Sequence, residues 1–414
     1  MSKKIMNIIA GLDIGNGYVK GKLSVDGGVP TMVDMPSVVT YTKVQALPVT
    51  PDDAYVKNFD NMMDVEFSSR IVDEASKGRM YVGERAISAG TSLREFDINN
   101  VQPKCEDSLS TILTLSAIAS VAFRHYWGEN HALPQEEIAC NVVAAMALPI
   151  EDYMRYKDRY AEDLMRTEHR VIIHNFEQDV VVRIKFDDVR SKPEGAAAQY
   201  AITSLGGDFL QAVLDDSRRR GVPIDPEYTG AMLATQVRNT IGVDIGEGTV
   251  NFPVFTNGAV NIEASKSINS GYGTVLENVV VETVNDSTLR CSSRKDLASF
   301  LLEKNLLPQG KRRQAALRKL TDEQVIVFVR ELMRTFNRVF ADVGGRTDAI
   351  YVYGGGASSV QFALYDELVK AVTGDLGTLP VIYLDSSYSR DLNRTGLYSI
   401  AYETAKVVWA KKTA

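Results

Sequence analysis

An apolar run that ends in an aspartate and turns on Gly-x-Gly occurs twice in this chain, and that repetition limits the folds open to it. Ile9-Ala10-Gly11-Leu12-Asp13-Ile14-Gly15-Asn16-Gly17-Tyr18-Val19-Lys20 recurs as Ile241-Gly242-Val243-Asp244-Ile245-Gly246-Glu247-Gly248-Thr249-Val250-Asn251. Each copy reads as a strand, a glycine turn and a returning strand (Val19 to Val25, then Thr249 to Phe255), because glycine permits the sharp reversal. A period of about 230 residues indicates a duplicated domain and not a solenoid. The chain of 414 residues is long enough for two such domains.

Composition narrows the function. With 46 Lys and Arg against 53 Asp and Glu, the formal charge is −7, so the whole-chain positive field that favours non-specific binding to nucleic acid or membranes is missing. The apolar runs Ala139 to Leu148 and Val279 to Val284 are far shorter than the roughly 20 residues of a membrane-spanning helix. Met1-Ser2-Lys3-Lys4 does not open a secretory signal, and the cytoplasm is the expected location. Cys105, Cys140 and Cys291 are widely spaced, with no Cys or His partner at metal-binding intervals, so buried, reduced thiols are expected.

Other elements follow from pattern. Residues 29–100 are turn-rich and suggest a small subdomain. Ser108 is expected to cap an apolar helix through Phe123. Ile138 to Leu148 reads as a buried strand, Glu151 to Met165 as an amphipathic helix, and Val171 to Asn175 with Val180 to Phe186 as a hairpin. Pro193-Glu194 precedes Gly195-Ala196-Ala197-Ala198, with the proline placed in a first helical turn. Residues 207–239, including Arg218-Arg219-Arg220, have the composition of a surface insertion. Helices are expected near 272–284, 294–303, 321–341 and Gly396 to Ala410. A strand at Ala349 to Tyr353 runs into Gly354-Gly355-Gly356. The charge runs 218–220 and 311–313 and the four histidines read as ordinary surface or packing features.

Chemistry concentrates in three glycine turns. Paired turns led by Asp13 and Asp244 would cradle a polyphosphate through their backbone N–H groups (Gly15, Asn16 and Gly17; Gly246, Gly248 and Thr249). The two carboxylates would hold a hydrated Mg²⁺, and Lys20 would add a point charge. Glu247, inside the second turn, would repel phosphate unless it is linked to a metal or points away. Gly354, Gly355 and Gly356 let backbone approach a flat nucleoside.

This arrangement resembles the actin-like ATPase superfamily. The turn at 13–17 with Lys20 is similar to its first phosphate motif, that at 244–249 to the second, and Gly354-Gly355-Gly356 to the adenosine motif. Pro193-Glu194-Gly195-Ala196 and Arg394-Thr395-Gly396-Leu397 are similar to its two connectors. Met35-Pro36-Ser37, Tyr81-Val82-Gly83-Glu84 and Leu148-Pro149 with Tyr153 are most similar to the plasmid-segregation actins of the ParM/StbA type.

The resemblance implies duplicated α/β domains of ribonuclease H-like type with a nucleotide cleft between them. The first would span 1–190, with its small subdomain at 29–100 and the helix 394–412 packed back on it. The second would span 191–393, with the inserted element 207–239 and a small subdomain at 271–345. ATP or GTP with Mg²⁺ would be hydrolysed, with Glu194 as the catalytic residue that orients water. The implied function is a head-to-tail filament that segregates plasmid DNA through a DNA-binding adaptor on a centromere-like site, without direct membrane contact or direct reading of DNA sequence. The alternatives are a sugar or small-molecule kinase of the same fold and a chromosomal cytoskeletal actin homologue.

Overall fold

The computed structural model describes residues 5–42, 46–89, 92–97, 103–219, 221–375, 377–384 and 386–413; residues 1–4 and Arg220, named above, lie outside them. The chain divides into two units, Met1–Ala201 with Asp391–Ala414, and Ile202–Arg390.

The first unit is built on ten strands: β1 Ile5–Ile14, β2 Tyr18–Val25, β3 Thr31–Pro36, β4 Val38–Tyr41, β5 Asp64–Ser68, β6 Met80–Val82, β7 Arg94–Glu95, β8 Ile138–Leu148, β9 His169–Ile173 and β10 Val180–Pro193. They form one sheet in the order β3-β2-β1-β8-β10-β9-β5-β6-β4-β7. Its centre, β1, β8 and β10, is parallel, and β1 and β2 form the antiparallel hairpin expected from the first repeat. The strands of the 29–100 segment extend this same sheet at both edges.

Strand periodicity sends alternate side chains of the centre into two different cores. Ile8, Ala10 and Leu12 of β1, with Val142, Ala144 and Met146 of β8, pack in the same core as Ile112, Leu115 and Phe123 of the Ser108–Asn130 helix. On the other parity, Ile9, Val143, Ala145 and Ala147 meet Ala197, Leu397, Ala401 and Ala405. The last three lie on the Ser386–Thr413 helix, which begins ten residues ahead of the helix expected at Gly396. The Ser108–Asn130 helix is capped by Asp107, whose side chain accepts from the Leu109 N–H at 2.8 Å, and not by Ser108. It runs seven residues past Phe123, where the apolar pattern stops, and ends at His131 in the left-handed conformation.

Strands of the second unit are β11 Thr240–Ile245, β12 Val250–Phe252, β13 Val254–Thr256, β14 Ala259–Val260, β15 Lys266–Ile268, β16 Ala349–Tyr353, β17 Thr373–Gly374, β18 Gly377–Thr378 and β19 Val381–Tyr383. β11, β16 and β19 are parallel, while β12 and β13 pair antiparallel with the two ends of β11, interrupted at Pro253. The sheet packs on Val325, Val329, Leu332, Phe336 and Val339 of the Pro308–Val343 helix and on Val360, Leu364 and Leu368 of the Ala357–Ala371 helix.

The 207–239 insertion forms two helices, Gly206–Arg219 and Gly230–Thr235. They approach so closely that a side chain at Gly230 would collide with the Gly207 carbonyl oxygen. Arg218 donates to the Asp225 and Tyr228 carbonyls at 2.9 and 2.8 Å, so this member of the basic run ties the insertion together. Among the described residues no helix is long and apolar enough to cross a membrane. The three cysteines are free thiols; Cys140 and Cys291 are buried, and Cys105 is half-buried.

Candidate functional site

The two repeats fold alike down to single pairs. In the first unit Asp13 lies across from Lys20 and Ile14 from Val19, and Gly15 N–H donates to the Tyr18 carbonyl at 3.0 Å. In the second, Asp244 lies across from Asn251 and Ile245 from Val250, and Gly246 N–H donates to the Thr249 carbonyl at 2.9 Å. Residues directly opposed on antiparallel strands share a face, so Lys20 stands beside Asp13 where Asn251 stands beside Asp244. Asn251 is held by Ser267, whose hydroxyl donates to its Oδ1 at 2.6 Å. Lys20 forms no ion pair among the described residues.

Each turn has its carbonyls tied back. Ser37 donates its hydroxyl to the Gly15 oxygen at 2.6 Å and its N–H to the Gly17 oxygen at 2.9 Å. In the second unit the first amides of the Tyr272–Glu282 helix do this: Tyr272 N–H donates to Gly246 at 3.0 Å and Gly273 N–H to Glu247 at 2.8 Å. Among the described residues nothing accepts from the amides of Asn16 and Gly17, or from those of Glu247 and Gly248. Concave turns with unclaimed N–H groups are anion receptors.

Charge around the first turn is arranged in register. Lys20 is opposite Asp34 on β3, and Asp34 accepts from buried Arg394 at 2.7 Å. Arg394 also pairs with Asp391. Asn393 donates to Asp13 at 3.5 Å. Gly11 is required here: a Cβ would strike the backbone of Tyr398, and Gly396 meets the Ala197 carbonyl in the same way.

In the second unit Gly354 has φ +102°, and a side chain there would come within 2.5 Å of Asp244 Oδ1. Gly356 N–H donates to the Ile245 carbonyl at 2.8 Å, which fixes the triglycine turn beside the end of β11. A Cβ on Gly355 would meet nothing within 4 Å. Glu247 makes an ion pair with buried Arg294 at 3.0 Å, so its charge is balanced inside its own unit.

Pro193 is the last residue of β10, not the start of a helix. It pairs with Leu148, and the Glu194 N–H donates to the Leu148 carbonyl at 2.7 Å. Gly195, at φ +77°, then redirects the chain into the Ala196–Ser204 helix. Glu194 thus extends from the C-terminal edge of the parallel strands, where open α/β sheets bind ligands. Its carboxylate lies 3.6 Å from Lys104 Nζ. Sequence reasoning missed Lys104, Asn393 and Arg294; none belongs to a repeat or a glycine turn.

Among the described residues no group of three or more His, Cys, Asp or Glu could hold a metal ion. Asp13 lies in the first unit and Asp244 in the second; a single carboxylate suits an ion bound chiefly by phosphate and water, as Mg²⁺ is, and not a protein cage.

The profile described as "Actin like proteins N terminal domain" matches residues 11–196, and that described as "Archaeal actin homologue MreB-like, C-terminal" matches residues 242–366. No curated protein matches the chain. Among solved structures, Bacillus thuringiensis ParM with AMPPNP is similar at TM-score 0.58 and 16% identity, covering 96% of this chain and 99% of that one. The apo pSK41 ParM protein gives 0.55 and 16%, with 98% of each chain covered. An archaeal actin homologue gives 0.58 and 13%, with 97% and 100% covered. These identities establish a shared fold, and the profiles fall on the segments that carry the repeated turns: the chain carries an actin-like N-terminal domain and an archaeal MreB-like C-terminal domain on the actin-like fold.

Proposed function

We propose that the chain is a nucleotide-hydrolysing, filament-forming actin homologue that segregates plasmid DNA. The observation that carries the reading is the pair of matched turns, each with its carbonyls tied back and two amides that have no acceptor among the described residues. Similar structures include ParM proteins solved with AMPPNP, ATP and ADP.

In this reading each turn binds the phosphates of ATP or GTP. The amides of Asn16, Gly17, Glu247 and Gly248 and the ammonium of Lys20 bind phosphate oxygens, while Asp13 and Asp244 act on the water shell of Mg²⁺. Bound Mg²⁺ neutralises phosphate charge. The open surface over Gly355 accepts the nucleoside. Glu194 takes a proton from the attacking water as its oxygen bonds to the γ-phosphorus, and the bridging P–O bond breaks with its electron pair leaving on the nucleoside diphosphate. The filament is head-to-tail and open-ended, since a heterologous contact that does not close makes a fibre. An adaptor bound to a centromere-like site couples it to DNA, and the protein acts in the cytoplasm.

Right-angle light scattering with simultaneous phosphate release, after addition of ATP or GTP with Mg²⁺, tests the reading. Scattering that rises and then decays as phosphate appears is the expected result. Phosphate release with flat scattering at every protein concentration refutes filament formation and favours a soluble kinase of the same fold.

A further inference from the structure

The ion pair between Lys104 and Glu194 is not an ordinary surface contact. Each side chain is only 12% exposed, and Nζ lies 3.6 Å from Oε1. Exposed pairs of this kind contribute little because solvent screens them and two long side chains must be ordered. Here burial removes much of the screening, and loss of either partner leaves a charge that is hard to solvate.

Both partners are fixed from behind. Lys104 donates its N–H to Asp152 Oδ2 at 2.9 Å, which ties its backbone to the Ile150–Met165 helix. Its ammonium sits 5.1 Å from the centre of the buried Phe96 ring, a favourable position for a cation on an aromatic face. The Glu194 backbone N–H is anchored by the Leu148 carbonyl, and three side-chain torsions separate that anchor from the carboxylate. A group that must face one water molecule needs its far end held as well, because displacement by about 1 Å costs as much as ~10²-fold in rate.

We infer that Lys104 is a positioning residue for Glu194: its ammonium, itself placed by Asp152 and Phe96, holds the carboxylate in the orientation that attack of water on the γ-phosphate requires. This rests on the reading of Glu194 as the residue that directs the water.

The test is steady-state hydrolysis of ATP and of GTP with Mg²⁺, together with equilibrium binding of the same nucleotides, by four full-length variants. Lys104→Met keeps the stem and its packing on Phe96 but removes the charge; it is expected to lower kcat by about ten- to a hundredfold, with KM and nucleotide Kd within about twofold of the parent. Lys104→Arg restores charge and is expected to recover most of the turnover. In Glu194→Gln, adding Lys104→Met is expected to cause no further loss, because the lysine acts through the glutamate. Should Lys104→Met fail to fold, Lys104→Gln carries the same comparison.

Equal losses from Lys104→Met in the parent and in Glu194→Gln, or a change in Kd of the same size as that in kcat, overturn the inference and make the lysine structural. Parental turnover by Lys104→Met while Glu194→Gln is inactive removes the inference alone. Parental turnover by Glu194→Gln removes the catalytic reading of Glu194, and the inference falls with it.

Discussion

Gly354 and Gly355 are neighbours with opposite tolerances. At Gly354 a methyl group would need a left-handed backbone and would press on the Asp244 carboxylate; at Gly355 it would stand in open space. Gly354→Ala is therefore expected to lower stability by roughly 1–3 kcal/mol and to weaken nucleotide binding, whereas Gly355→Ala keeps the stability of the parent. Urea melts with nucleotide titrations check both. Glu194→Ala is expected to leave nucleotide affinity intact while slowing phosphate release at least ~10²-fold; unchanged turnover would sink the catalytic assignment. His169 supplies a pH dependence. It is buried, its Nε2 bonded to the Leu164 carbonyl and its Nδ1 to the Ser69 hydroxyl, and burial lowers its pKa below 6.5. The unfolded chain then takes up a proton that the folded chain resists, so this contribution is present above pH 6.5 and is lost as pH falls below it. The urea midpoint should drop from pH 7 to 5.5, and His169→Gln should flatten that slope.

Elements were legible in the sequence where a local pattern sets them. The β1–β2 and β11–β12 hairpins follow from Asp-x-Gly-x-Gly between β-branched runs, and both the Asp13–Lys20 pair and its Asp244–Asn251 counterpart follow from the turn register. The stripe from Val325 to Val339 marked a helix correctly, yet the helix begins at Pro308, because its first turns are polar and only Leu317 is buried there. Pro193 suggested a helix start; parallel pairing with Leu148 made it a strand end instead, a long-range contact that overrides local preference. Lys104 was invisible for the same reason, since the sheet and the Ile150–Met165 helix bring it to Glu194 across some 90 residues of sequence. Packing of the Pro308–Val343 helix can be checked directly. Leu332 is fully buried against the second sheet, and Leu332→Ala is expected to cost about 2–5 kcal/mol, read as a lower urea midpoint at constant m-value.

For the whole molecule, a ligand that binds only the folded chain stabilises it by mass action. Nucleotide with Mg²⁺ at a hundred times its Kd should add about 2.7 kcal/mol, seen as a raised thermal midpoint. Glu194→Ala should keep that shift, and Asp244→Ala should lose most of it at the same nucleotide concentration; an equal shift in Asp244→Ala would exclude its role in holding Mg²⁺-nucleotide. Such measurements separate filament from kinase chemistry, because one architecture serves both.

The Ser386–Thr413 helix also sets an order of events during synthesis. The ribosome finishes β10 at Pro193 and then makes the whole of the second unit before Leu397, Ala401 and Ala405 emerge. At about 5–20 residues per second, that interval of roughly two hundred residues lasts on the order of 10–40 s. Throughout it, Ile9, Val143, Ala145 and Ala147 lack the helix that covers them. The nascent first unit thus waits with that apolar sheet face only partly covered, by Ala197, while the second unit, one contiguous segment from Ile202 to Arg390, is free to fold as soon as it clears the exit tunnel.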